Sequence, residues 1–169
     1  MTFSIGDKVV YPNQGVATIE NISTRSFEGQ FQRFYLLRLV YSSMTVMVPF
    51  SNVTSVGIRR VAKGQDVSRV LEFLAGGRCT CSGDWKSRFK ENTDKMQDGR
   101  LCEVAEVLKS LLVLQAEKPL SFREKKMLDR ARHLLVSELS IARHIGEAEA
   151  EIVLNQALRK SGLALPAVL

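Results

Sequence analysis

The stretch Val61-Ala62-Lys63-Gly64-Gln65-Asp66-Val67 divides the chain into two parts with different hydrophobic periods. On its N-terminal side, apolar and polar side chains alternate in runs rich in β-branched and aromatic residues, which is typical of strands. On its C-terminal side, apolar residues recur every three or four positions, as they do in amphipathic helices. The sequence therefore predicts a two-domain α+β protein, with a β domain over residues 1–62, a helical domain over residues 63–161 and a tail, 162–169.

The β domain is predicted from four short runs and the turn signals between them. The runs cover residues 9–11, 16–19, 34–37 and 45–48, and Gly, Pro, Asn or Ser mark the turns at residues 12–15, 27–30 and 41–43. Several short strands at this spacing predict a small antiparallel barrel or curled sheet.

The helical domain is predicted from caps and apolar stripes. A first helix covers about residues 66–74, and residues 78–83 are expected to form a loop. Asp84 can cap the next helix, which should end near Gly99, and the stripe from Leu101 to Leu112 predicts another. Pro119 interrupts the chain, after which Ser121 and Glu124 have the spacing of a capping box. The helix that they start should end near Gly146, and a last helix should follow over residues 147–160.

Composition limits the classes of function. The formal charge is +6 and the pI about 9.4, which favours an acidic partner. Residues 1–64 hold seven Lys and Arg against three acids, and the remainder holds seventeen against fifteen, so a nucleic-acid site in the helical domain must be a local patch. No export signal or membrane span is expected. The three cysteines, Cys79, Cys81 and Cys102, lack zinc-site spacing and are predicted to be free thiols in a reducing cytoplasm.

No constellation of catalytic residues is recognisable. The two histidines, His133 and His144, lie eleven residues apart on one predicted helix, about three turns, so neither readily assists the other. Phosphate-loop, nucleophile-elbow and metalloprotease motifs are missing from the sequence. The protein is therefore expected to be no enzyme and to need no cofactor or metal.

The single tryptophan, Trp85, begins a predicted helix that also carries Lys86, Arg88 and Lys90. Two interpretations are open for it. The indole could pack with Phe89 into the helical core while the cations form a solvated face. Alternatively, the cations could contact phosphates while the indole acts as an apolar wedge at a base step of DNA.

Two further basic surfaces have both a solvation and a binding interpretation. On the capping-box helix, Arg123, Lys126, Arg130 and His133 recur at helical spacing, with Lys125 beside them. They could be an ordinary charged outer face or could contact phosphates. In the β domain, the side chains of interest lie on or between the predicted strands: Arg25, Phe27, Arg33 and Arg38. A partner strand could add to an open edge of the sheet, with these side chains supplying specificity. Alternatively, they could simply keep the sheet soluble.

Taken in order, the motifs resemble those of the CarD/CdnL family of bacterial transcription regulators. The resemblance extends from about residue 3 to residue 143. Its motifs are Gly6-Asp-Lys-Val-Val-Tyr-Pro-Asn-Gln-Gly15, Val48-Pro49 with Val56-Gly-Ile-Arg59, Trp85 with its cations, Val104-Ala-Glu-Val-Leu108, Leu120-Ser-Phe-Arg-Glu-Lys-Lys-Met-Leu128 and Ala131-Arg-His-Leu-Leu135.

The resemblance implies a function in transcription initiation. The first domain would be a Tudor-like RNA-polymerase-interacting domain, shared with the transcription-repair coupling factor, that binds the lobe of the polymerase β subunit. The helical domain would contact promoter DNA at the upstream fork of the transcription bubble. Without any chemistry, such a factor stabilises the open complex formed with the housekeeping sigma factor.

The resemblance also implies roles for individual residues. Trp85 matches the tryptophan that the family inserts into the minor groove. Arg88 and Lys90 match cations that contact the DNA backbone, and Lys125 matches a further basic position of the DNA-binding domain. Position 87 is a serine where some members have arginine, whereas Lys86 adds a cation, so the phosphate contacts would be shifted. For polymerase, Arg25 matches a contacting arginine, Phe27 lies close to it in the sequence, and Met47 would pack where some members form an ion pair.

Two other classes of function stay open at this point. The protein could be a protein–protein adaptor on RNA polymerase, with Trp85 in its core and no direct contact to DNA. It could also be an RNA-binding module, since small barrels often bind RNA, although no exposed pair of strand aromatics is evident in the sequence beyond Phe34 and Tyr35.

Overall fold

The computed structural model describes residues 2–79 and 83–167. The chain divides into two compact units, residues 1–61 and 62–169. The first unit is an antiparallel sheet and the second is a set of five helices among the described residues. The predicted two-domain α+β class is therefore confirmed.

The first unit is a five-stranded sheet in the order β4-β3-β2-β1-β5. Every pair of neighbouring strands is antiparallel, and the four predicted runs all fall within strands. The strands are β1 (Lys8–Tyr11), β2 (Gly15–Phe27), β3 (Gln30–Leu39), β4 (Thr45–Pro49) and β5 (Arg59–Arg60).

The core of this unit lies on one side of the sheet. Its largest side chain is Tyr35, whose ring stacks on Phe50 at 4.0 Å between centroids. The Tyr35 hydroxyl accepts a hydrogen bond from the backbone N–H of Phe3 at 3.0 Å, so the phenol is buried without an unpaired polar group. Around it pack Val9, Ala17, Ile19, Leu37, Leu39, Val48, Val53 and Ile58.

Strands β2 and β3 form a long hairpin with two irregular features. At its end, Glu28 (φ 50°) and Gly29 (φ 77°) both have left-handed backbone conformations, which a two-residue hairpin turn requires. Near its base, the register shifts between Ile19 and Asn21, so Glu20 is an extra residue in β2.

Helical turns interrupt the strand pattern before β5. A 3₁₀ turn (Phe50–Asn52) runs into the short helix α1 (Val53–Val56), in a stretch that none of the four predicted runs covers. Gly57 ends this helix with φ 86°, a conformation that glycine adopts at little cost. Period-two alternation over a few residues does not distinguish such a turn from a strand.

The second unit contains helices α2 (Gly64–Gly76), α3 (Trp85–Asp98), α4 (Leu101–Glu117), α5 (Phe122–Arg143) and α6 (Glu147–Arg159). Both predicted caps are confirmed. The Asp84 side chain accepts the N–H of Ser87, and Ser121 and Glu124 form a reciprocal capping box. Residues 80–82 of the predicted 78–83 loop lie outside the described residues. None of the helices within the described residues is long and apolar enough to cross a membrane.

The core of the helical unit is formed mainly by apolar side chains of α4 and α5. Lys109 on α4 is buried in it, and its ammonium donates to the carbonyls of Phe73 (2.7 Å) and Gly77 (2.5 Å), where α2 ends. Burial lowers the pKa of Lys109. Of the predicted tail, Leu163 and Leu165 pack against this core.

Candidate interfaces for nucleic acid and protein

The indole of Trp85 lies at the start of α3, directly after the Asp84 cap. It is 40% exposed and stacks on Phe89, with 5.7 Å between ring centroids and 17° between ring planes. Each of the two interpretations of Trp85 thus describes part of its surface: Phe89 contacts the ring, while a large fraction of it remains accessible to solvent.

The cations near Trp85 do not share one environment. Lys86 and Lys90 are exposed, whereas Arg88 is only 5% exposed. The buried positions of α3 are Arg88, Asn92 and Met96, four residues apart, so Arg88 lies on the inward face of the helix. Both interpretations of the sequence placed Arg88 at an exposed surface, either in solvent or against phosphates, whereas the structure buries it. Hydrophobic periodicity does not reveal this position, because the inward face of α3 carries little hydrophobicity.

Arg88 forms a buried ion pair with Glu124 of α5. Its Nε lies 3.6 Å from Oε2 of Glu124, and both side chains are at most 7% exposed. Neither Nε nor Nη2 of Arg88 has a hydrogen-bond partner among the described residues. The other carboxylate oxygen of Glu124 accepts the N–H of Ser121 in the capping box. One carboxylate therefore completes the cap of α5 and holds the first turn of α3 beside it.

The first turns of α5 carry an exposed basic surface that includes Lys125. Phe122, which is not among the site residues predicted from the sequence, is 71% exposed on this surface. The ammonium of Lys126 lies 4.6 Å from the centroid of its ring. The signal that could have identified Phe122 is its place between the Ser121 cap and Glu124: the capping carboxylate turns inward, so Phe122 must face outward.

In the β unit, the three predicted polymerase contacts share one side of the sheet. Arg25 pairs with Gln32, Phe27 with Gln30, and Met47 with Leu36. The even-numbered residues of β3 face away from the core, because Tyr35, Leu37 and Leu39 face into it. Directly opposed residues lie on the same side, so all three contacts belong to this outer side.

The outer side of the sheet combines apolar and charged groups. Phe27 is 64% exposed and Met47 is half-buried. Arg38, also on this side, forms an ion pair with Glu20. Arg33 pairs with Thr24 and therefore faces the opposite side, as does Phe31, which pairs with Ser26. Of the four side chains considered in the sequence analysis, Arg25, Phe27 and Arg38 are together and Arg33 is not.

Among residues 2–79 and 83–167, no group of three or more His, Cys, Asp or Glu side chains could hold a metal ion. His133 is half-buried on α5, and desolvation lowers its pKa, assisted by Arg130 and opposed by Glu147. Burial explains this perturbation without a role in catalysis.

Comparison with known proteins identifies relatives of both units. Residues 3–62 match the family described as the CarD-like/TRCF RID domain, and residues 69–155 match the CarD C-terminal domain. A protein of Bacillus subtilis (strain 168) named "Putative transcription factor YdeB" is 39% identical over 147 residues, which is 87% of this chain and 96% of that protein.

Two solved structures from Myxococcus xanthus are also similar in part. The 72-residue N-terminal domain of CarD, solved by NMR, has 37% sequence identity and a TM-score of 0.31, covering 35% of this chain and 79% of that one. A structure titled CdnLNt has 43% identity and a TM-score of 0.32, covering 36% and 86%.

Proposed function

Because the chain belongs to the CarD/CdnL family of transcription regulators, which interact with RNA polymerase, we propose that it holds the polymerase β subunit with its sheet and promoter DNA with its helical domain. In this proposal it acts at the upstream fork of the transcription bubble and stabilises the open complex formed with the housekeeping sigma factor. It performs no chemistry and needs no cofactor.

The observation that carries the DNA-binding half is the accessible indole of Trp85 on a helix whose first turns also carry the exposed Lys86 and Lys90. Phe89 supports the ring from within the same helix, and Asp84 caps that helix. A supported aromatic can enter a minor groove where base steps are already parted, while Lys86 and Lys90 neutralise phosphates. Contacts of this kind carry little base information, so sequence specificity should be low.

The outer side of the sheet supports the polymerase-binding half. It presents an exposed phenylalanine, Phe27, with Arg25 two residues earlier and Met47 on an edge strand. Aromatic, arginine and methionine side chains are the types enriched at protein interfaces. Attachment to polymerase would raise the effective concentration of the helical domain at the fork, so weak DNA binding would suffice. The protein would then be cytoplasmic and associated with the nucleoid through polymerase.

The test is the half-life of the open complex formed by purified holoenzyme on a linear promoter fragment after addition of a competitor. The parent protein should lengthen this half-life. Trp85→Ala should reduce that lengthening by several-fold up to about a hundred-fold, because one base–aromatic contact contributes ~1–3 kcal/mol. Ile152→Ala, which removes an exposed apolar side chain from α6, is the matched control and should behave as the parent. A parental half-life with Trp85→Ala would show that the wedge is wrong.

A second candidate function is a polymerase adaptor without direct DNA contact. The stacking of Trp85 on Phe89 and the burial of Arg88 favour it, since both remove groups from a possible DNA surface. Quenching of tryptophan emission by acrylamide distinguishes the candidates, because Trp85 is the single tryptophan. In the adaptor, promoter DNA should leave quenching unchanged. If the indole enters DNA, quenching should fall when a fork-junction DNA is added.

A further inference from the structure

We propose that α5 provides a second DNA contact, in which Phe122 stacks on a parted base and the cations around it bind the adjacent phosphates. We call this the Phe122 surface; it consists of Phe122, Arg123, Lys125, Lys126 and Arg130. The inference rests on the proposed function and deepens it: the resemblance already implies a basic DNA-binding position at Lys125 of α5, and stacking of a base on Phe122 is the added contact.

The exposure of Phe122 is a consequence of the capping box. Phenylalanine is usually buried, yet this ring is 71% exposed at the first position of α5. Glu124 is buried two residues later, about 200° further around the helix axis. Since the cap needs the Glu124 carboxylate inside, the Phe122 side chain points to solvent, and the cap fixes this direction.

The ring is placed against a cation. The ammonium of Lys126, one turn further along the helix, lies 4.6 Å from the ring centroid. Such a cation–π contact restrains the ring and leaves its other face free for an aromatic partner. An aromatic plane beside a phosphate-binding cation is the combination that single-stranded nucleic acids bind, because bases stack on the ring and the backbone follows the charges.

The charge of the surface selects a polyanion as its occupant. Arg123, Lys125, Lys126 and Arg130 are all exposed, and Asp129 is the acid among them. An apolar protein groove would have to desolvate these four cations, which is costly, whereas phosphates replace their counterions. The charge complementarity therefore favours the nucleic-acid backbone.

The ion pair between Arg88 and Glu124 brings the Phe122 surface near Trp85. The two side chains join the start of α3 to the start of α5 at 3.6 Å. Trp85 is three residues before Arg88 and Phe122 is two before Glu124, so each ring lies within one helical turn of the pair. One DNA molecule at the start of these helices could contact both aromatic side chains.

The test measures binding of the full-length chain to a labelled fork-junction DNA by fluorescence anisotropy at fixed salt. Phe122→Ala should weaken binding about five-fold or more, the size expected for loss of one base–aromatic contact. Phe122→Tyr should bind as the parent does. Phe31→Ala is the matched control, because it removes a phenylalanine that is 82% exposed in the other unit, and it should leave the affinity unchanged.

Phe122→Lys separates stacking from charge. This variant removes the ring and adds a cation. It should therefore bind fork DNA more weakly than the parent does, because the stacking contact is lost. Its affinity for fully paired DNA should be no weaker than that of the parent. Parental or tighter binding of fork DNA by this variant would overturn the proposal. Loss of polymerase capture by Phe122→Ala, with DNA binding unchanged, would also overturn it and assign the surface to a protein.

Comparison with Trp85→Ala distinguishes failure of this inference from failure of the proposed function. If Trp85→Ala weakens fork binding and Phe122→Ala does not, only the second contact is wrong. If neither variant weakens it, the DNA-binding half of the proposed function fails as well. If Phe122→Ala alone weakens binding, the Phe122 surface stands and the wedge role of Trp85 fails.

Discussion

The two candidate interfaces are held in place by different means. On the sheet, backbone pairing sets the side on which Arg25, Phe27 and Met47 lie, and Arg25 and Phe27 are exposed and contribute little to the fold. At the start of α3, Trp85 depends on a helix held against α5 by the buried pair of Arg88 and Glu124. The first interface should therefore tolerate substitution without loss of folding, whereas the second should not tolerate loss of the Arg88–Glu124 pair.

The largest expected effect is on the stability of the helical unit. Arg88→Ala leaves the Glu124 carboxylate buried and without its cation, and breaking such a pair costs about 3–5 kcal/mol. The free energy of unfolding of the full chain is measured by denaturant titration followed by far-ultraviolet circular dichroism, which reports on both units, and by emission of Trp85, which lies in the helical unit. Arg25→Ala, an exposed arginine of the sheet, should change it by under about 0.5 kcal/mol. Equal losses in the two variants would remove the distinction between the interfaces.

An intermediate effect is expected at the sheet, on binding alone. Phe27→Ala removes a 64% exposed ring from the outer side and should weaken polymerase capture by about 1–2 kcal/mol, roughly five- to thirty-fold. The unfolding free energy should be unchanged. The matched control is Phe31→Ala, on the opposite side of the same hairpin. Similar losses in both variants would place the docking surface at the hairpin end instead of on one side.

The smallest effect is expected from pH. Because burial lowers the pKa of His133, protonation favours the unfolded chain. This contribution to stability is fully present above the ordinary pKa of 6.5 and is lost as pH falls through the lowered pKa of the folded state. The unfolding free energy should therefore be lower at pH 5.5 than at pH 7.5. His133→Gln should reduce this difference, and an unchanged difference would assign it to other groups.

The sequence predicted the local features of the helical unit well. Asp84 and Ser121 were identified as caps because capping depends on residues within one turn of each other. The apolar stripes of α4 and α5 were likewise recognisable from their spacing.

Long-range polar contacts could not be predicted in the same way. Arg88 and Glu124 are far apart in the sequence, and the inward face of α3 carries Arg88 and Asn92, so hydrophobic periodicity does not mark it. Lys109 is a similar case. Its ammonium donates to the carbonyls at the end of α2, and the sequence around Lys109 in α4 contains no pattern that indicates this distant contact. The exposure of Phe122 follows from the capping box only once the inward direction of Glu124 is known.

The bulge at Glu20 absorbs one extra residue of β2, so that the side chains beyond it keep their side of the sheet. Strict alternation counted from Ile19 would put the odd-numbered residues, Arg25 and Phe27 among them, on the buried side. Glu20 shifts the alternation of β2 by one position. The residues of β2 that face the core are therefore odd-numbered before Glu20 and even-numbered after it. Deletion of Glu20 would therefore shorten the hairpin yet leave Arg25 and Phe27 facing the same way as Met47. Chains of unequal length at this point can thus present equivalent surfaces.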